Sequence, residues 1–218
     1  MYYHPGHITP GLSVDPEISD TDARATEDCS VSMLAANLLV LVSAGPLLAV
    51  LALTYAARWG WPSLAQGVWT LLQPRILLVF VLPGILAHEL IHALTWAISA
   101  HRPLSAIRLG IQWRSASPYA HPKAPMPVGP YRTGAIMPAL LLGVLPAGTA
   151  ILLGRPLLMA WSLLFVLAAG GDLVVLWLIR HVRPGQLVRD HPTRAGCEVL
   201  DAGRSASKAA LANPPAMP

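Results

Sequence analysis

The stretch ILLVFVLPGILAHELIHALTWAISA, residues 76–100, decides how this chain is read. It is long enough to cross a bilayer, since a spanning helix needs about 20 predominantly apolar residues. Yet it carries His88, Glu89 and His92 at its centre. In an α-helix, residues i and i+4 lie one above the other on a single face, so the two imidazoles can share one ion. That HExxH spacing suits two ligands of a Zn²⁺ ion, with Glu89 beside them as general base.

Composition agrees with the apolar setting. The chain is 54% hydrophobic and 12% charged, with a mean hydropathy of +0.53. A soluble domain carries about twice that charge. Between Ser32 and Arg180 the only acidic residues are Glu89 and Asp172. An acid at the centre of a membrane helix costs roughly 2.5–3.5 kcal/mol on insertion scales, so each requires a reason. Glu89 belongs to the motif. Asp172 is the leading candidate for a third metal ligand; the alternative is a structural contact with an arginine, a hydroxyl or a neighbouring helix.

Four apolar runs reach spanning length, at about residues 33–57, 76–100, 133–154 and 157–179. Gly45-Pro46 interrupts the first and Pro83-Gly84 the second, which predicts kinks. The third contains Pro138 and Pro146, and Arg155-Pro156 makes the last two a tight hairpin. The expected fold is an all-α polytopic membrane protein of about four transmembrane helices, with a short β-like hairpin or loop between helices 2 and 3. Three regions follow: an acidic flexible tail over 1–32, an integral membrane domain over 33–183, and a basic, largely disordered tail over 184–218.

Lysine and arginine placement orients the bundle. Arg102, Arg108, Arg114, Lys123 and Arg132 follow the second helix, and Arg180, Arg183, Arg189, Arg194, Arg204 and Lys208 follow the fourth. The other connections hold Arg58, Arg75 and Arg155. Both termini and the central loop are therefore expected in the cytoplasm, with the chain in the plasma membrane. Trp59, Trp61 and Trp69 would anchor the opposite interface. In this orientation helices 2 and 4 run in the same direction. His92 stands ten residues before Arg102 and Asp172 eight before Arg180. At about 1.5 Å per residue both lie roughly 12–15 Å inside the same helix ends, a depth match that suits a three-ligand site.

At His88-Glu89-Leu90-Ile91-His92-Ala93-Leu94 the chain resembles the signature of the membrane zincin metallopeptidases, a domain family of unassigned function. The Pro118-Tyr119-Ala120 region, Pro138, Gly170-Gly171-Asp172, Asp190-His191-Pro192 and Gly196 are similar as well. The resemblance spans about residues 71–199. A wider similarity is to the site-2 proteases, which pair an HExxH helix with an aspartate on a later helix. It implies Zn²⁺ on His88, His92 and Asp172, with Glu89 as catalytic base. One departure is that Gly170-Gly171 stands before Asp172 where an Asn-Pro-type element is expected.

The function this implies is an intramembrane zinc metallopeptidase that hydrolyses peptide bonds of membrane-associated substrates. Glu89 would take the proton of the attacking water and return it to the leaving amine. Expected partners are the lipid bilayer and a membrane-protein or peptide substrate. The competing class is a non-enzymatic ion or proton path, or a scaffold, using the same His, Glu and Asp side chains.

The connections carry weaker signals. Ile107, Leu109, Ile111 and Trp113 alternate with Arg108, Gly110, Gln112 and Arg114, a period-2 strand pattern that offers an edge to an extended substrate. The proline-rich residues 115–130 read as an irregular loop or lid. His101, His121, His181 and His191 read as solvated, and Asp190-His191 as a turn before Pro192, with a fold back toward the site as the alternative. The acidic start carries no basic segment of a secretory signal. Cys29 and Cys197 read as free thiols in a reducing compartment. The basic tail suits anionic lipid, not nucleic acid.

Overall fold

The computed structural model describes residues 25–112 and 117–200. Strand β1 (Ala25–Val31) leads into helix α1 (Met33–Trp59), whose first turn is capped by Ser32 accepting from the Ala35 N–H at 3.2 Å. Helix α2 (Trp61–Leu71) precedes α3 (Pro74–Ser99), which carries the HExxH motif. Strands β2 (Ile107–Gln112), β3 (Ser117–Pro122) and β4 (Met126–Pro127) come next. Helix α4 (Val128–Leu153) is followed by α5 (Pro156–Ala168) and α6 (Gly170–Leu178), which together make the fourth span. Strands β5 (Leu187–Asp190) and β6 (Ala195–Leu200) close the described chain.

Four helical spans are therefore long and apolar enough to cross a membrane, at Met33–Trp59, Pro74–Ser99, Val128–Leu153 and Pro156–Leu178. Their outer faces support this reading. Leu34, Val42, Ile98 and Leu152 are each more than 70% exposed, an arrangement suited to lipid rather than water.

The prolines shape the spans without breaking them. Residues Leu77–Val81 and Ala139–Val144 form wide π-type turns, each ending two residues before a proline, Pro83 and Pro146. Widening the turn there relieves the clash between the pyrrolidine ring and the preceding carbonyls. Helix α1 runs through Pro46 as one element. The fourth span is interrupted at Ala169, so α6 begins a new helical segment with Asp172 in its first turn. A carboxylate is favoured there by the helix dipole.

All strands gather at one end of the bundle. A four-stranded antiparallel sheet in the order β1-β6-β5-β4 joins the segments before α1, before α4 and after α6. A second sheet is the antiparallel hairpin β2–β3. The hairpin expected between helices 2 and 3 is present. Three segments differ from expectation. Residues 117–122, read as irregular loop, form β3. Ala25–Val31, read within a flexible tail, pairs with β6. Residues 187–200, read within a disordered tail, supply β5 and β6. Burial explains the last two: Cys29, Val188, Cys197 and Val199 are each at most 5% exposed and belong to one apolar cluster with Trp96 and Tyr131. Short strands of this kind are weak signals until a partner strand covers them.

Candidate metal centre

Helix α3 stacks His88, His92 and Trp96 at successive four-residue steps on its inner face. All three are buried. The His92 ring lies flat on Trp96 with centroids 5.1 Å apart, and Trp96 in turn stacks on Tyr131 of α4. The Trp96 indole N–H donates to the Tyr131 carbonyl at 3.1 Å.

His92 is oriented by a carbonyl that proline sets free. In a regular helix the Gly134 carbonyl would accept from the N–H of residue 138, but Pro138 has none. The His92 Nδ1–H donates to Gly134 O at 2.9 Å instead. A carbonyl can only accept, which places the proton on Nδ1 and turns the Nε2 lone pair into the site. Close approach of α3 and α4 requires a glycine at 134, because a Cβ there would overlap the Trp96 indole.

Asp172 meets both histidines from α6. Its Oδ2 lies 3.2 Å from His88 Nε2 and its Oδ1 lies 3.3 Å from His92 Nε2. The two Nε2 atoms are 3.2 Å apart. Ligands on a tetrahedral zinc at bond lengths of about 2.0–2.1 Å lie roughly 3.3–3.4 Å from one another. Each pairwise contact is close to that spacing, with one carboxylate oxygen turned to each histidine, and one donor atom from each residue lies within 4.8 Å of the other two. Arg132 does not pair with Asp172. Its guanidinium donates to the carbonyls of Ile179 and Val182, capping the end of α6 and tying it to α4.

Glu89 sits beside the triangle, half-buried. The Ala120 backbone N–H of β3 reaches its carboxylate. The strand geometry explains why. Pro118 and Pro122 carry no amide hydrogen, and Lys123 N–H donates to Ala106 O at 2.9 Å, so the ladder to β2 runs through the odd-numbered residues. The amide of Ala120 consequently points to the outer edge of β3, towards α3.

Two side chains read from sequence as solvent-facing join the site. The Asp190 Oδ2 accepts from His121 Nδ1 at 2.5 Å, and its Oδ1 accepts from the Tyr131 hydroxyl at 2.5 Å. Asp190 is thus the last residue of β5 rather than part of a turn. The Asp190 carboxylate raises His121 above the ordinary imidazole range. His121, Asp190, His88, Glu89, His92 and Asp172 all line one cavity of about 490 Å³. A smaller apolar recess of about 280 Å³ adjoins Glu89, walled by Leu86, Leu90, Leu109, Ile111, Pro118 and Tyr119. The sequence signal for His121 and Asp190 was slight: a histidine in a strand pattern and an acid before His-Pro.

These features define a class, a helical membrane protein with a zincin-type centre assembled from two of its spanning helices. More particularly, residues 79–187, half of the chain, match the model of the family described as "Putative zincin peptidase", and the chain belongs to that family. The matched segment contains His88, Glu89, His92 and Asp172. Such a family implies a metallopeptidase and a zinc ion. No curated protein and no solved structure matches the chain.

Proposed function

We propose that the protein is an intramembrane zinc metallopeptidase acting on peptide bonds of membrane-associated substrates. The observation that carries this reading is the convergence of His88, His92 and Asp172, whose nearest donor atoms stand 3.2–3.3 Å apart pair by pair, beside a half-buried Glu89. A zinc ion bound there supplies Lewis acidity for polarising a peptide carbonyl and activating water. The three side chains have nitrogen and oxygen donors suited to that ion and leave a fourth position open.

The remaining chemistry belongs to the chain itself. Glu89 accepts a proton from the attacking water and passes it to the departing amine. The Ala120 N–H is directed toward this carboxylate and is placed to steady it. His121, with Nδ1 engaged by Asp190, has Nε2 left for a substrate oxygen in the cavity. The edge of β2 turned away from β3 suits an extended substrate by strand addition, and the recess beside Glu89 suits an apolar side chain of that substrate. The arginine-rich connections support an orientation with the sheet end in the cytoplasm.

The test combines metal content with cleavage of fluorescein-labelled casein in detergent. Wild type should hold one zinc ion per chain at this site, lost in His88→Ala/His92→Ala. Glu89→Gln should lower turnover by about 10²–10⁴-fold, the range of a lost general base, with zinc retained. Absence of zinc after reloading would overturn the metallopeptidase reading. Loss of zinc in Glu89→Gln would overturn the role given to that residue.

A further inference from the structure

A second group of mixed donors lies where β1 of the four-stranded sheet meets the turn after α6. Glu27 and Cys29, two residues apart on β1, share one face of the strand. That face turns onto His181, in the turn that follows α6. His181 Nε2 is 2.7 Å from Glu27 Oε1 and 3.8 Å from Cys29 Sγ. All three ligand atoms lie within 4.8 Å of one another. They share no residue with the triangle on α3 and α6.

We propose that Glu27, Cys29 and His181 form a second metal site, binding one divalent transition-metal ion of the Zn²⁺ type. Donor chemistry selects the ion. A thiolate and an imidazole favour Zn²⁺ or Co²⁺, whereas Mg²⁺ and Ca²⁺ require oxygen ligands in greater number. Thiolate and carboxylate together cancel the charge of a divalent cation.

The geometry is close to a tetrahedral one. With Zn–S of about 2.3 Å and Zn–N and Zn–O of about 2.0–2.1 Å, the nitrogen and sulfur would stand roughly 3.5 Å apart and the nitrogen and oxygen roughly 3.3 Å apart. His181 and Glu27 must therefore part by about half an ångström and His181 approach Cys29 by a few tenths. Their side chains are 50% and 53% exposed, so both can move, and an ion can enter from solvent. Cys29, by contrast, is fixed. It is 5% exposed and lies opposite Cys197 in the β1–β6 register. Gly196, at φ 128°, lets the Cys29 and Ser30 backbone close onto β6 where a Cβ would collide with the Cys29 carbonyl.

The direct contacts alone are a weak reason for this convergence. An exposed histidine–glutamate pair contributes little, and a sulfur contact at 3.8 Å is long. An ion held by all three would clamp the strand entering α1 to the end of α6, the helix that carries Asp172. The second site thus bears on the first through one helix, but its occupancy does not depend on peptidase activity.

The test uses full-length protein in detergent, stripped with chelator and titrated with Co²⁺. Sulfur separates the two sites: only the second can show a near-ultraviolet thiolate-to-cobalt charge-transfer band. That band should appear in wild type and survive in His88→Ala/His92→Ala. It should vanish, with loss of one equivalent, in His181→Gln and Cys29→Ser. Glu27→Gln should weaken it. His181→Gln and Glu27→Gln alter exposed side chains, so they remain informative if Cys29→Ser does not fold. Saturation of wild type without the band overturns the proposal, as does a band that survives His181→Gln. A wild type that shows the band but loses no cobalt in His88→Ala/His92→Ala retains this site and refutes the first.

Discussion

Gly134→Ala tests how the helix pair builds its metal ligand. The added methyl falls on the Trp96 indole, the ring on which His92 is stacked. Moving Trp96 or α4 disturbs the 2.9 Å bond from His92 Nδ1 to the Gly134 carbonyl, the contact that fixes the ring and its tautomer. Overpacking a filled interface costs about 1–3 kcal/mol. Alanine returns about 0.5–1 kcal/mol through its better helix propensity. The net loss in stability should be about 0–2.5 kcal/mol. Zinc affinity should fall further, by roughly 10–100-fold, the usual cost of losing an outer partner of a ligating histidine. That corresponds to about 1.4–2.8 kcal/mol of binding. Gly129→Ala is the matched control, since a Cβ at that earlier position of the same helix meets nothing within 4 Å. The assay is competition for zinc against a chromogenic chelator, alongside thermal unfolding in the same detergent. If Gly134→Ala binds zinc as tightly as Gly129→Ala does, the account of His92 orientation is wrong.

Further outcomes follow from the same contacts. Asp172→Ala removes the proposed third ligand, so zinc retention should drop by more than the roughly 10–100-fold expected for an outer contact. Zinc affinity equal to wild type in a chelator competition would move the third ligand elsewhere. Ala120→Pro deletes the one amide hydrogen that β3 directs at Glu89 and leaves the ladder to β2 intact. A hydrogen bond to a charged group is worth about 1.5–3 kcal/mol, so casein turnover should fall roughly 10–100-fold with zinc content unchanged. Unaltered turnover would remove Ala120 from the site.

Asp190→Asn should show a pH-dependent cost. The hydrogen bond that His121 donates to Asp190 raises His121 in the folded state, so its contribution is fully present below the unfolded value of about 6.5. It is lost as pH rises through the higher folded value. The gap in thermal midpoint between wild type and Asp190→Asn should therefore be widest below about pH 6.5 and narrow on the alkaline side to what the Tyr131 contact contributes. A gap that widens with pH would contradict the pairing.

The local features of this site were legible because their physics is local. Helical periodicity puts His88 and His92 on one face whatever surrounds them, and the scarcity of acids between residues 32 and 180 singles out Asp172. Depth could be counted from the arginines that end each span. The strand pattern at residues 107–113 likewise revealed β2. Its partner was obscured by prolines, which read as loop. In place they sit at positions where β3 needs no donor, so the same residues that hide the strand also free its edge for Glu89.

The sequence by itself determined the four spans, the HExxH face and the acid that would join it, because hydrophobic length and helical period are properties of single segments. Tertiary structure alone decided that Asp172 of α6 meets His88 and His92 of α3, that the carbonyl released by Pro138 turns to His92, and that Asp190 reaches His121 and Tyr131. It also decided that β1 pairs with β6 and brings Cys29 to His181. These are contacts between segments far apart in the chain. Each depends on how helices and strands pack together, a choice made by summed burial and small-residue approach that no single segment records.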